Sequence, residues 1–184
     1  MIQTKDLRGI VLLPVFVLLV PLVAMQFTDE VVWGPLDFLV AWVLMAVAGL
    51  AYKLATSQTG NVAYRIAAGM AVATAFLLVW ANLAVGLIGN EGNPANLMYG
   101  GVLAVGIVGA GLARLQSRGM VRALWATALA QFLVPVVALI VSPPDVTPLV
   151  WAGNALFVIL FVGSALLFRR AANQPDSPRV ETPA

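Results

Sequence analysis

Six apolar runs, at residues 9–27, 36–52, 66–88, 95–113, 123–141 and 148–168, follow one another with only short polar connections. That repetition restricts the fold more than any other feature. Each run is close to the ~20 helical residues needed to cross a hydrocarbon core about 30 Å thick. In lipid the backbone must satisfy its own hydrogen bonds, so continuous runs predict helices, whereas barrel strands would alternate apolar and polar residues over about ten positions. No such alternation occurs. Hydrophobic residues make up 61% of the 184 and charged residues 10%, more apolar surface than a water-soluble core of this size could hide. The expected architecture is all-α: a polytopic transmembrane bundle of six helices over residues 1–168. A disordered cytoplasmic tail is expected at 169–184, where three prolines and mixed charges replace the apolar residues.

The charges orient this frame. Lys5 and Arg8 precede the first run, Lys53 and Arg65 flank the connection between the second and third, and Arg114, Arg118 and Arg122 flank that between the fourth and fifth. Arg169, Arg170 and Arg179 follow the sixth. The opposite connections carry Asp29, Glu30, Asp37, Glu91 and Asp145 and no cation. Cations stay on the cytoplasmic side, so both termini are expected there, and five or seven crossings would break the segregation. A net charge of +2 then needs no nucleic-acid partner. The bilayer is the primary partner, with anionic lipid a secondary ligand of the same residues. The first run is long for a signal core and ends without a small-x-small cleavage pattern, so it reads as a retained anchor, kinked or irregular at Pro14 and Pro21. With no cysteine there are no disulfides.

Three outer helix starts share one device: Gly34-Pro35, Asn93-Pro94 and Thr147-Pro148 each place a capping residue before a proline suited to the first helical position. Asp37 then falls in the first turn of the second helix, facing the positive end of its dipole. Trp33, Tyr99 and Trp151 are expected at the outer interface, and Tyr52, Tyr64 and Trp125 at the inner one. The fourth helix, with Gly100, Gly101, Gly106, Gly109 and Gly111, has little side-chain bulk. Gly106 with Ala110, and Gly109 with Ala113, form small-x-x-x-small pairs that let backbones approach closely, so this helix is expected at the bundle centre. Residues 48–54 and 110–115 also echo each other, suggesting that helices 2 and 3 repeat as helices 4 and 5.

The polar chemistry inside the apolar runs is uncharged. Thr74 and Asn82 lie on the third helix, Asn96 opens the fourth, Gln131 is near the middle of the fifth, and Asn154 lies about two turns into the sixth. Amides in such places commonly hydrogen-bond between helices. Asp37, Asn82, Glu91, Asn96, Gln131 and Asn154 also form the one candidate polar pocket, opening outward. Catalysis is not expected. The chain has no histidine, no Walker loop, no Gly-x-Ser-x-Gly and no mid-membrane pair of carboxylates, so catalytic residues, metal ligands and cofactor sites are all expected to be absent.

Residues Gly89 to Ile107, in particular Asn93-Pro94-Ala95-Asn96-Leu97-Met98-Tyr99, together with Arg118-Gly119-Met120-Val121-Arg122-Ala123-Leu124 and Ala126-Thr127-Ala128-Leu129-Ala130-Gln131, resemble a family of small bacterial six-helix inner-membrane proteins. The resemblance covers helices 3 to 5. It implies a bacterial inner-membrane location and brings no catalytic residues. The expected role is a non-enzymatic membrane component that associates with itself or another membrane protein through Gly101, Gly106, Gly109, Ala110 and Ala113 or through the outer loops. The alternative is a permeation unit for a small solute or ion, lined by the outer amides. A pathway needs those amides to face a wet cavity, whereas an association protein buries them between helices.

Overall fold

A computed structural model of the chain describes residues 4–28, 32–57 and 59–174. The described residues are helical, with no strand among them. The helices are α1 (Thr4–Ala24), α2 (Pro35–Thr56), α3 (Val62–Val85), α4 (Met98–Leu112), α5 (Ser117–Val141) and α6 (Pro148–Asn173). Short 3₁₀ turns at Pro94–Leu97 and Pro143–Asp145 precede α4 and α6. Among the described residues, five segments are long and apolar enough to cross a membrane: α2, α3, α5, α6, and the 3₁₀ turn Pro94–Leu97 taken together with α4. The apolar stretch of α1, Gly9–Ala24, is shorter. Asp29, Glu30 and the tail from residue 175, including Arg179, lie outside the described residues.

The chain divides into two compact units, one ending at Ser57 and the other beginning at Gln58. In the first, α1 packs against α2. Ile10 lies against Gly49, and Trp42 Nε1 donates to the Val11 carbonyl at 3.2 Å. That carbonyl neighbours the one on Ile10, which Pro14, lacking an N–H, cannot serve. α1 runs through Pro14 and Pro21 without a break. Of the helices in the expected repeat, α2 and α3 belong to different units while α4 and α5 share one.

The second unit is built on α6, which packs against both α3 and α5; α4 packs chiefly on α5. The buried face of α5 runs through Met120, Ala123, Leu124, Thr127, Ala128, Gln131, Val134 and Ala138, the three- and four-residue spacing of one helical face. Gly163 of α6 receives Met70 of α3, where an added Cβ would come within 3.2 Å of the thioether methyl. Ser164 Oγ donates across the same seam to the Ala67 carbonyl at 2.8 Å. Residues facing outward are larger and more apolar, such as Ile107, Leu112, Ile140 and Leu149.

The expectation that the glycine-rich helix is central is therefore corrected. One face of α4 does pack closely: a Cβ at Gly109 would lie 2.8 Å from Ala123 Cβ, and one at Gly106 would lie 3.3 Å from Thr127 Oγ1. Ala113 meets Gly119 in the same way, and Ala110 is half-buried. Gly100, Gly101 and Gly111, however, have nothing within 4 Å of an added Cβ, so Gly101 packs on no other helix of this chain. Glycine bulk reports how closely α4 can approach α5, and one close neighbour suffices for that.

The boundary expected at residue 168 also moves, because α6 continues to Asn173 with Phe168 and Ala171 buried. Tyr64 and Tyr99, expected as interfacial anchors, are buried instead. Tyr64 meets Phe168 edge-on, with ring centroids 4.9 Å apart, and its hydroxyl donates to the Leu115 carbonyl at 2.6 Å. Each phenol bonds a polar partner inside the protein.

Candidate functional site

The polar side chains of the second unit form two buried groups and one half-buried clasp. The first group joins three helices. Asn154, one turn after Val150 on α6, donates through Nδ2 to the Val150 carbonyl at 2.8 Å and to the Tyr99 hydroxyl of α4 at 3.0 Å. That bond fixes the amide's orientation, because reversing it would set Oδ1 against the Val150 carbonyl. Asn154 Oδ1 therefore faces Gln131 of α5, whose Nε2 donates to it at 2.8 Å, and it also accepts from the Tyr99 hydroxyl at 3.3 Å. Gln131 is then committed as a donor, and its Oε1 is buried with no partner. Pro135, one turn later, cannot supply the usual N–H to the Gln131 main-chain carbonyl either. The middle of α5 thus carries surplus acceptor capacity.

The second group folds the connection between α3 and α4. Asn96 is buried and works entirely on the backbone: Oδ1 accepts from the Ile88 N–H at 2.9 Å, while Nδ2 donates to the carbonyls of Ile88 at 3.2 Å and Asn90 at 2.6 Å. One amide thereby replaces the water that a connecting segment would otherwise need. Gly86 and Gly89 permit the path, with φ of +65° and +68°. At Gly86 a side chain would collide with the backbone of Asn90. Asn82 Nδ2 reaches the Asn96 carbonyl at 3.5 Å, and Asn82 Oδ1 is buried without a partner.

The clasp ties that connection to the one between α5 and α6. Asn93 caps the Pro94–Leu97 turn, its Oδ1 accepting from the Ala95 N–H at 2.9 Å. Its Nδ2 donates to Asp145 Oδ2 at 2.8 Å, and Ser142 Oγ donates to the same oxygen at 3.1 Å. Of the three proline-led starts, only Asn93 uses its side chain as the cap. Thr147 makes no such bond, and the Gly34 N–H instead donates to Asp37 Oδ2 at 2.8 Å.

Of the expected pocket residues, Gln131 and Asn154 come together directly, and Asn82 and Asn96 form a separate pair. Asp37 closes the first turn of α2 in the other unit, and Glu91 is exposed in its loop. Tyr99, Asn93, Ser142 and Asp145 complete these arrangements without having been singled out as polar partners. Apart from the local Ser142–Asp145 bond, their partners are 49 to 55 residues away in sequence, so no local spacing could have revealed them. Among the described residues no group of three or more acidic, histidine or cysteine side chains could hold a metal ion. No protein-family model, curated protein or solved structure matches the chain.

Proposed function

We infer that this chain is a multi-pass protein of the bacterial inner membrane, crossing it six times with both ends in the cytoplasm. Its role on this reading is non-catalytic association, with a second copy or another membrane protein. The sidedness follows from the segregation of cations and acids, and the bacterial location follows from the resemblance of the segment around residues 93–99. The observation that carries the role is how the interior amides are used. Asn96, Gln131 and Asn154 are each 5% exposed or less and hydrogen-bond to protein groups, as packing contacts do. Outward-facing Ile107, Val108 and Leu112 leave one side of α4 available to another apolar surface. A photo-crosslinking residue at Ile107 in cells tests the role: protein adducts are expected, and adducts with lipid alone would count against it.

The permeation reading retains one observation in its favour, the partnerless acceptors Gln131 Oε1 and Asn82 Oδ1. Amide oxygens of this kind can coordinate a cation or a donor-bearing solute. Flux in liposomes that is abolished by Gln131→Met would establish that reading over association.

A further inference from the structure

Six arginines gather at one end of the unit formed by α3 to α6. The Tyr64 hydroxyl bonds the Leu115 carbonyl, the Tyr64 ring meets Phe168, and Asn61 Nδ2 donates to the Ala171 carbonyl at 3.4 Å. These contacts hold together the start of α3, the turn between α4 and α5, and the end of α6. Arg65, Arg114, Arg169 and Arg170 adjoin the contacting residues, and Arg118 and Arg122 follow in the first two turns of α5. All six are exposed. The described acids of this unit, Glu91 and Asp145, lie in the connections at the other end of the same helices, so no described carboxylate of the unit faces the arginines.

Sidedness alone does not account for this composition. Lysine and arginine serve equally in holding a loop on the cytoplasmic side, yet residues 58–184 contain no lysine. Arginine differs in presenting a planar fork that pairs with two phosphate oxygens at once. Helix stability accounts for Arg170, in the last turn of α6, but not for Arg118, which stands in the first turn of α5, where the helix dipole disfavours a cation. Trp125, half exposed and one turn beyond Arg122, adds an indole of the kind that settles at headgroup depth.

We propose that this arginine-lined end binds anionic phospholipid headgroups, with guanidinium groups paired to the lipid phosphodiesters. The proposal rests on the membrane reading above. Each arginine near an anionic surface is worth on the order of a fivefold gain in binding, and several acting together would retain lipid through purification.

The test uses the full chain in mild detergent. Native mass spectrometry counts retained lipid, and thermal unfolding is followed with added phosphatidylglycerol, phosphatidylcholine or inorganic phosphate. Phosphatidylglycerol is expected to raise the unfolding temperature by about 3–6 °C over phosphatidylcholine, an effect that weakens with salt. Arg114→Gln with Arg118→Gln and Arg122→Gln should abolish the difference. The corresponding Arg→Lys triple keeps the charge and the topology, so it remains informative if the glutamine variant does not insert; it should lower lipid retention roughly tenfold. Equal unfolding temperatures in the two lipids would overturn the proposal, as would inorganic phosphate reproducing the shift or the lysine triple matching wild type. Absence of the chain from the membrane fraction would instead overturn the membrane reading itself.

Discussion

Asn154 of α6 and Tyr99 of α4 are hydrogen-bonded 3.0 Å apart, although α4 packs chiefly on α5. The bond reaches across the unit, and Gln131 of α5 completes it from the side. Asn154→Leu would remove it and strand both Gln131 Nε2 and the Tyr99 hydroxyl. The expected cost is about 1–3 kcal/mol of unfolding free energy, measured by denaturation in micelles. Gln131→Met loses one bond but also removes a partnerless acceptor, so it should change stability by less than about 1 kcal/mol. A Gln131→Met variant as damaged as Asn154→Leu would show that the surplus oxygen has a partner after all.

The glycines of α4 should separate into two classes. Gly109→Ala places a methyl against Ala123 and is expected to destabilise by about 1–3 kcal/mol through overpacking. Gly101→Ala meets open space and gains helix propensity, so it should be neutral or stabilising by up to about 1 kcal/mol. Leucine at Gly106 and Gly109 together should disrupt the α4 to α5 seam. Unchanged detergent stability in that double variant would refute the packing assigned to this face.

The partition of these glycines shows what was legible in the chain. Their number predicts a close approach and does not say to how many neighbours. The existence of the apolar helices could be read directly from length and composition, but not their ends, since α1 stops at Ala24 and α6 runs on to Asn173. Which face of each helix turns inward could not. Lipid is as apolar as leucine, so the buried faces are marked by Ala67, Thr74, Thr127, Gln131 and Ser164 and not by a hydrophobic stripe. The amides could be named in advance, but their pairing depended on contacts remote in sequence, as between Gln131 and Asn154.

Asn93 and Asp145 should be energetically coupled. Removing both in a double-mutant cycle is expected to give an interaction of about 0.5–3 kcal/mol, because either alanine substitution alone already removes the bond between them. Additive effects would mean that the clasp is open.

Arg114 and Leu115 have φ of +48° and +58°, and the Gln116 N–H closes the turn onto the Ala113 carbonyl at 2.9 Å. Such residues carry roughly 1–2 kcal/mol of strain each that glycine does not. Arg114→Gly should therefore stabilise the unit by about 1 kcal/mol in thermal unfolding. A loss of stability would indicate that the arginine side chain contributes more than the relief of its backbone.

The dependence of α3 on α6 bears on biosynthesis. Ser164 and Gly163, which meet Ala67 and Met70, are made only after about a hundred further residues have left the ribosome. On the membrane reading, α3 waits in the bilayer until then without its principal neighbour. Quality-control proteases would accordingly find their substrate in nascent or prematurely terminated chains that lack α6.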